Sequence, residues 1–418
     1  MQIPEKYKFI VQLGKALHTY GVPSYKSQIY LSQIAKQKGI KGSFMDLPTW
    51  INYVFYQEDE HTYNYVECVP PGELNLGALS RIVEITNNVL SNKVDFAEAK
   101  LEIEKIKTER LGYGKLTELI AFMTSAGAFC IVLNTSWASA ISAFFIGGII
   151  YGFTLIANKS RYIRSILESL VAFAATVITG LLAINFSQVN ISLTILASII
   201  VFIPGLSITT ALEEITSKSL VSGTAKLSDA LVSLFKQFFG VALGLAVLSI
   251  FVDLKPNIVI NDIPSWINYV AILFLASSLL PVFKVRPKDL IYSVIAGCAS
   301  YFTAVLFDFT GILFSIFLGT IVAVSCSKLF SKITKSPELV YLIPGTIMLV
   351  PGSKAFIGLS SVFIDAGGAQ SNMGVQIMYI FMGIIGGLIF SGSFMDRVSE
   401  NVDSFVSNNE ETFNSHKL

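Results

Sequence analysis

Two Ile-Pro-Gly triplets, Ile203-Pro204-Gly205 and Ile343-Pro344-Gly345, cut long apolar segments at matching places in two successive sets of five. Proline removes a helix donor and clashes with the turn before it. Inside hydrocarbon the freed backbone groups find partners only in a protein-lined or watery cavity. Such breaks therefore mark where a polar solute can be held at membrane depth. After the first break come Ser207, Thr209 and Thr210, then Glu213 and Glu214. A half-helix starting past Pro204 turns free amides and the positive end of its dipole toward a cavity, which suits a carboxylate. The three hydroxyls either read a small polar side chain or bond their own backbone one turn back, as is common in membrane helices. Glu213 and Glu214 are either a solvated helix end or a site for an ammonium or a proton. The second break is doubled: Pro351-Gly352 follows Pro344-Gly345, with Lys354 close behind. An unwound, cavity-lining stretch over residues 343–353 is expected there.

Charges within apolar segments are the second set of candidates. Lys236 lies about nine residues into an apolar segment, roughly 14 Å deep at about 1.5 Å per residue. An ammonium at a membrane helix centre costs about 2.5–3.5 kcal/mol on insertion scales unless it is paired or hydrated. Asp229, two turns earlier on the same face, is the expected partner, with snorkelling of the side chains to the surface as the alternative. Burial lowers a lysine pKa, so Lys236 is also a candidate for moving a proton. Glu168 reads as a helix-end charge, and Asp308 and Asp365 as solvated ends. Lys236, Asp229, Glu213, Glu214, Glu168 and Lys354 are together the candidates for charge coupling.

Other chemistry has little support. The 418 residues contain four cysteines far apart, no CxxC and only His18, His61 and His416. Neither a disulfide framework nor a metal site is expected, and no cofactor. There is no GxSxG and no Walker GxxxxGK[ST], and Ser24 near His18 is a weak nucleophile–base pair. A net charge of +1, with no basic block interleaved with aromatics, gives no case for nucleic acid.

The elements that must position the candidates follow from hydropathy. The chain is 53% hydrophobic and 14% charged, with mean hydropathy +0.63, too apolar for a soluble globular protein of this size. Charge concentrates in residues 1–116 and after Met395. A mainly α-helical membrane protein is expected, with a small soluble α+β domain at residues 1–115. Five-helix halves follow at 116–253 and 263–395, and a polar tail at 396–418. In the first part Phe9, Leu13 and Leu17 repeat at helical spacing until Gly21 and Pro23, and residues 25–37 read as a second helix. Residues 50–56 and 62–69 read as a hairpin, 76–90 and 96–110 as helices. The first fourteen residues lack an apolar core, so no cleavable signal is expected and this part should lie in the cytoplasm.

A span needs about 20 apolar residues. Ten are expected, near 116–133, 138–157, 163–184, 191–212, 227–252, 263–283, 290–307, 311–329, 339–360 and 373–394. With the N-terminus inside, the inner loops hold eleven basic residues: Lys159, Arg161, Arg164, Lys218, Lys226, Lys284, Arg286, Lys288, Lys328, Lys332 and Lys335. The outer loops hold Lys255 alone. That asymmetry puts both termini in the cytoplasm. Each half has an odd number of spans, so two like halves must be inverted, with the broken fourth spans crossing near the midplane. A multi-pass protein of the plasma or inner membrane is expected, with a small-molecule substrate, lipid around it and room for a homo-oligomer.

Three motifs together resemble the threonine/serine exporter family over nearly the whole chain. They are Val201-Phe202-Ile203-Pro204-Gly205 with Ala211 and Glu214, Tyr341-Leu342-Ile343-Pro344-Gly345 running to Val350-Pro351-Gly352, and Leu17-His18-Thr19-Tyr20-Gly21-Val22-Pro23-Ser24. The resemblance implies a cytoplasmic N-terminal domain, ten spans and proton-driven efflux of small hydroxy amino acids without an ATP site. After Pro-Ser the family usually carries Arg and, two residues on, Glu; here Lys26 and Gln28 stand in those places. Arg to Lys is not conservative at a bidentate site, and Gln carries no charge. The alternatives are a membrane-bound hydrolase using the N-terminal domain and a channel for small polar solutes.

Overall fold

The computed structural model describes residues 3–57, 61–70, 72, 75–109, 112–251, 262–349 and 375–391. Helix α1 (Glu5–Thr19) buries Phe9, Leu13 and Leu17, the residues whose spacing marked it. Gly21 takes φ 79°, which glycine tolerates, and Pro23 precedes α2 (Ser24–Gln37). Strands β1 (Lys41–Leu47), β2 (Trp50–Tyr56) and β3 (Thr62–Cys68) form an antiparallel sheet in that order, with Trp50 opposite Cys68 and Tyr56 opposite Thr62. Ile51, Tyr53 and Phe55 of β2 are wholly buried, and Phe55 stacks on Tyr7 of α1 with centroids 3.9 Å apart. The hairpin is the expected one. Strand β1 was not expected: Gly42 and Asp46 weaken its pattern, and its pairing with β2 supplies what propensity does not. Helices α3 (Leu76–Leu90), capped by the Asn75 side chain on the Ala78 amide at 3.0 Å, and α4 (Phe96–Thr108) complete the N-terminal elements.

Long apolar helices follow: α5 (Lys115–Val132), α6 (Trp137–Ala157), α7 (Arg161–Asn185), the short α8 (Ile191–Ser198) and α9 (Gly205–Thr216), then α10 (Leu220–Phe251). The remainder are α11 (Ser265–Val282), α12 (Leu290–Leu306), α13 (Ile312–Thr334), α14 (Leu339–Ile347) and α15 (Val375–Ser391). Among the described residues seven helices are long and apolar enough to cross a membrane, and eight if α8 and the arm running into α9, bent by 57°, count as one. Ten were expected. The difference lies in α14, which has nine residues before the chain passes outside the described residues, and in α15, whose 17 residues fall short of a full span. Exposed apolar stripes, Ile141, Phe145 and Ile149 on α6 and Phe235, Phe239 and Leu243 on α10, recur every four residues and present a face suited to lipid.

Small residues let the helices approach. A Cβ on Gly240 of α10 would lie 2.2 Å from the Ser169 carbonyl oxygen of α7, and one on Gly244 would lie 2.7 Å from Thr176 Cβ. The later half has the same device: a Cβ on Gly383 of α15 would lie 2.8 Å from the Leu313 carbonyl oxygen of α13, and one on Gly387 would lie 2.5 Å from Thr320 Cβ. This Gly-x-x-x-Gly spacing is how membrane helices pack without a hydrophobic drive between them. Gly152, by contrast, has open space around it. Overpacking typically costs about 1–3 kcal/mol. Gly240→Leu is therefore expected to lower the thermal unfolding midpoint of the detergent-solubilised protein by several degrees, and Gly152→Ala to leave it level or raise it; equal shifts would contradict this packing.

Candidate functional site

The chain leaves α8 through a 3-10 turn at Ile200–Phe202, extends at Ile203 and restarts at Gly205. The proline is the cause, since residue 204 has no amide to continue the ladder. Two backbone groups need new partners. The Phe202 carbonyl accepts from Gln237 Nε2 on α10 at 2.7 Å. The start of α9 carries no side-chain cap: the Gly205 amide turns back to the Ile203 carbonyl at 2.7 Å, and the Ser207 amide in the first turn is left facing what lies before the helix. That is a cavity of 340 Å³ lined by Pro204, Gly205 and Ser207 at the break, Glu168 of α7, and Asp229 and Ser233 of α10. Leu275 and Leu279 of α11, Tyr301 of α12, Ile347 at the end of α14 and Met348 just after it close it. Its size sits at the lower end of ligand pockets, about 300–1,000 Å³.

The charges are arranged differently from the sequence expectation. Lys236 pairs with Glu168 Oε2 at 3.4 Å, not with Asp229. Its side chain is 45% exposed, and Asp229, two turns away on the same face and itself exposed, lines the cavity. Glu168 is not an isolated helix-end charge: its other oxygen accepts from Ser233 Oγ at 2.7 Å. Ser233 and Gln237 are one turn apart, 3.4 Å between Oγ and Nε2. A chain of contacts thus runs from the broken backbone through Gln237 and Ser233 to a carboxylate at the cavity. Gln237, wholly buried, was passed over in the sequence, although an amide in so apolar a helix was the available signal. Thr209 and Thr210 donate to the Gly205 and Ser207 carbonyls at 3.0 and 3.1 Å, the backbone-bonding alternative, which leaves Ser207 as the one of these three hydroxyl residues that lines the cavity.

The second break is not unwound where expected. Helix α14 continues through Pro344 and Gly345 to Ile347. A proline strips the carbonyl four residues back of its donor, here Val340, and Ser293 Oγ of α12 donates to that carbonyl at 3.2 Å. A Cβ on Gly345 would lie 2.9 Å from Ala323 Cβ, so this glycine serves close packing on α13. Pro351, Gly352 and Lys354 fall outside the described residues. Beside α14 lies a buried cluster the sequence did not suggest. Asp289 accepts from Tyr341 Oη at 2.6 Å, Ser336 Oγ at 2.7 Å and Arg286 Nε at 3.1 Å, and Arg286 also pairs with Glu84 of α3 at 2.7 Å.

At the far end of α9, Glu213 and Glu214 are 5% and 0% exposed, so the solvated helix end is overturned. The N-terminal elements cover them. The Ser24 amide donates to Glu214 Oε1 at 2.8 Å and Tyr25 Oη to Glu213 Oε1 at 2.9 Å, while Lys26 lies 3.5 Å from the same Glu213 oxygen. Burial, and next the Glu213 carboxylate, push the Tyr25 phenol far up, so it remains a donor. Ser24 Oγ donates to Ser222, and His18 bonds Asp46 at 2.7 Å and the Pro70 carbonyl at 3.1 Å, so Ser24 and His18 form no nucleophile–base pair.

The arrangement offers the uncapped, positive end of α9 at one wall of the cavity and carboxylates at another, complementary to the two ends of a zwitterion. Its keystone is Gln237. An unpartnered buried carbonyl costs about 1–3 kcal/mol, so Gln237→Leu should lower stability by that order and speed amide hydrogen exchange across residues 200–207. Exchange unchanged from wild type would show that Gln237 does not hold the break.

A family model described as "Putative threonine/serine exporter" matches residues 8–248, and one described as "Threonine/Serine exporter, ThrE" matches residues 267–394. Among curated proteins, the pheromone-regulated membrane protein 10 of Eremothecium gossypii is 23% identical over 88% of this chain and 50% of its own length. That of Kluyveromyces lactis is 22% identical over 94% of this chain and 44% of its own length. The chain therefore spans about half the length of these relatives. No solved structure matches. With both models aligned across the N-terminal elements, the broken helix and the later spans, the chain belongs to the threonine/serine exporter family of integral, multi-pass membrane transporters.

Proposed function

We propose that this protein is a secondary transporter that exports small hydroxy amino acids, threonine or serine, across the plasma or inner membrane, driven by the proton gradient. The observation that carries the reading is the cavity at the first break, where the start of α9 meets Glu168 and Asp229. The amides of α9 take the substrate carboxylate, aided by the dipole. Glu168 and Asp229 face its ammonium, and Ser207 bonds its hydroxyl. Protonation of a cavity carboxylate when the substrate leaves would link the two flows. The repeated Gly-x-x-x-Gly contacts, Gly240 and Gly244 of α10 against α7 and Gly383 and Gly387 of α15 against α13, support two like halves. An odd span count per half would invert them, giving ten spans, with residues 1–115 and the tail after 395 in the cytoplasm.

The test is flux of labelled threonine and serine in proteoliposomes with and without an imposed pH gradient. Gradient-dependent flux is expected, falling at least tenfold in Glu168→Gln and Asp229→Asn; flux indifferent to both substitutions would refute the site. For topology, single cysteines at Ser187 and Thr310 should react with an impermeant reagent from outside, and one at Asn158 only after permeabilisation. The reverse pattern would overturn the orientation.

A further inference from the structure

The export reading needs a gate between the cavity and the side from which substrate arrives. The far end of α9 has the elements of one. This helix is 12 residues long, about 18 Å at 1.5 Å per residue, with Gly205 at the cavity and Glu213 and Glu214 one turn before its other end. Two adjacent carboxylates are buried there, and the partners on Glu213 come from α2. Glu214 is shared between the Ser24 amide at the start of α2 and Lys226 of α10, at 2.6 Å. A helix N-terminus with its free amides is a natural seat for an anion.

Two features separate this contact from a permanent interface. Glu213 Oε2 and Glu214 Oε2 are both buried without a hydrogen-bond partner. Burying a charge with half its hydrogen-bonding capacity unused opposes docking, so the closed arrangement is held by a narrow margin. The N-terminal elements are also anchored elsewhere, by the Leu76 amide on the Phe283 carbonyl at 3.1 Å, Tyr113 Oη on the Val285 carbonyl at 2.6 Å, and Glu84 on Arg286. The first turn of α2 can lift from α9 while α3 stays attached to the segment between α11 and α12.

We propose that Ser24, Tyr25 and Lys26 form a reversible latch on α9. Docked, the latch fixes the half-helix and covers its acidic end. Released, it bares Glu213 and Glu214, which take the ammonium of an incoming amino acid in place of Lys26 and Tyr25. Lys26 is then an internal mimic of the substrate's amine, and Gln28, two residues on, carries no charge to compete for that cation. This rests on the transport reading, and the experiment keeps the two apart.

Ser24 Oγ and Ser222 Oγ are 2.7 Å apart, so cysteines at both positions can close a disulfide without moving either backbone far. In a background with Cys68, Cys130, Cys298 and Cys326 replaced, Ser24→Cys/Ser222→Cys should transport when reduced, lose at least tenfold of its flux on oxidation and recover with reductant. The single variants should be indifferent to oxidant. A cross-link formed in full with flux unchanged would overturn the latch, and so would failure to cross-link. Absence of flux in wild-type and reduced protein would instead count against transport. The latch is then still decided by hydrogen exchange in Lys26→Gln/Tyr25→Phe: at least tenfold faster exchange at residues 213–222 is expected, and exchange equal to wild type would overturn it.

Discussion

A carbonyl at membrane depth has no water to turn to, and the Phe202 carbonyl at the break before α9 is the one on which the rest of the site depends. Gln237 satisfies it across 2.7 Å. Because Gln237 and Ser233 share a face of α10, the side chain that repairs the backbone stands one turn from the hydroxyl that holds Glu168. Repair of the break and placement of the acid are thus one construction, and the close approach of Gly240 to Ser169 holds α7 and α10 at the spacing it needs. Without the amide, a buried break would be a defect. With it, the exposed start of α9 becomes a usable set of donors.

The distribution of charge follows the same economy of desolvation. Among the described residues no lysine lines the cavity, whereas Glu168 and Asp229 do, and Lys236 keeps its ammonium half exposed while reaching Glu168. At the other end of α9 the buried acids Glu213 and Glu214 meet Lys26, Lys226 and a helix N-terminus. Two acidic stations therefore stand at the two ends of one short helix, each partly neutralised by a neighbour that is itself accessible. The second fourth-span proline is handled differently: Ser293 closes its carbonyl and the helix goes on, which leaves α14 a packed wall with Ile347 and Met348 at the cavity.

Much of this was legible in the sequence. Helical spacing gave α1 and α3, β-branched and aromatic runs gave the β2–β3 hairpin, and Pro204 gave the first break, because those signals are local. What failed was tertiary. Whether a proline unwinds a helix depends on who answers the carbonyl four residues back, and for Pro344 that is Ser293, 51 positions away in the chain. Lys236 and Asp229 share a helical face, yet the ion pair forms across the helix contact to Glu168, which heptad spacing within one helix cannot reveal. Glu213 and Glu214 read as solvated because acids at a helix end normally are; their burial requires α2, about 190 residues earlier. Strand β1 and the Asp289 cluster were hidden for the same reason, their partners being remote.

The central claim is that the cavity at the first break recognises both ends of a zwitterion. It is tested most directly by ligand-induced stabilisation of the purified protein, since a ligand that binds the native state raises its unfolding temperature by an amount that grows with the logarithm of its concentration over Kd. L-threonine, its carboxamide and the corresponding dihydroxy acid lacking the amine differ by one charged end each. The account predicts that L-threonine alone raises the midpoint, by an amount that climbs with the logarithm of its concentration, and that Glu168→Gln removes the effect. Equal stabilisation by the carboxamide or by the amine-free acid would contradict it.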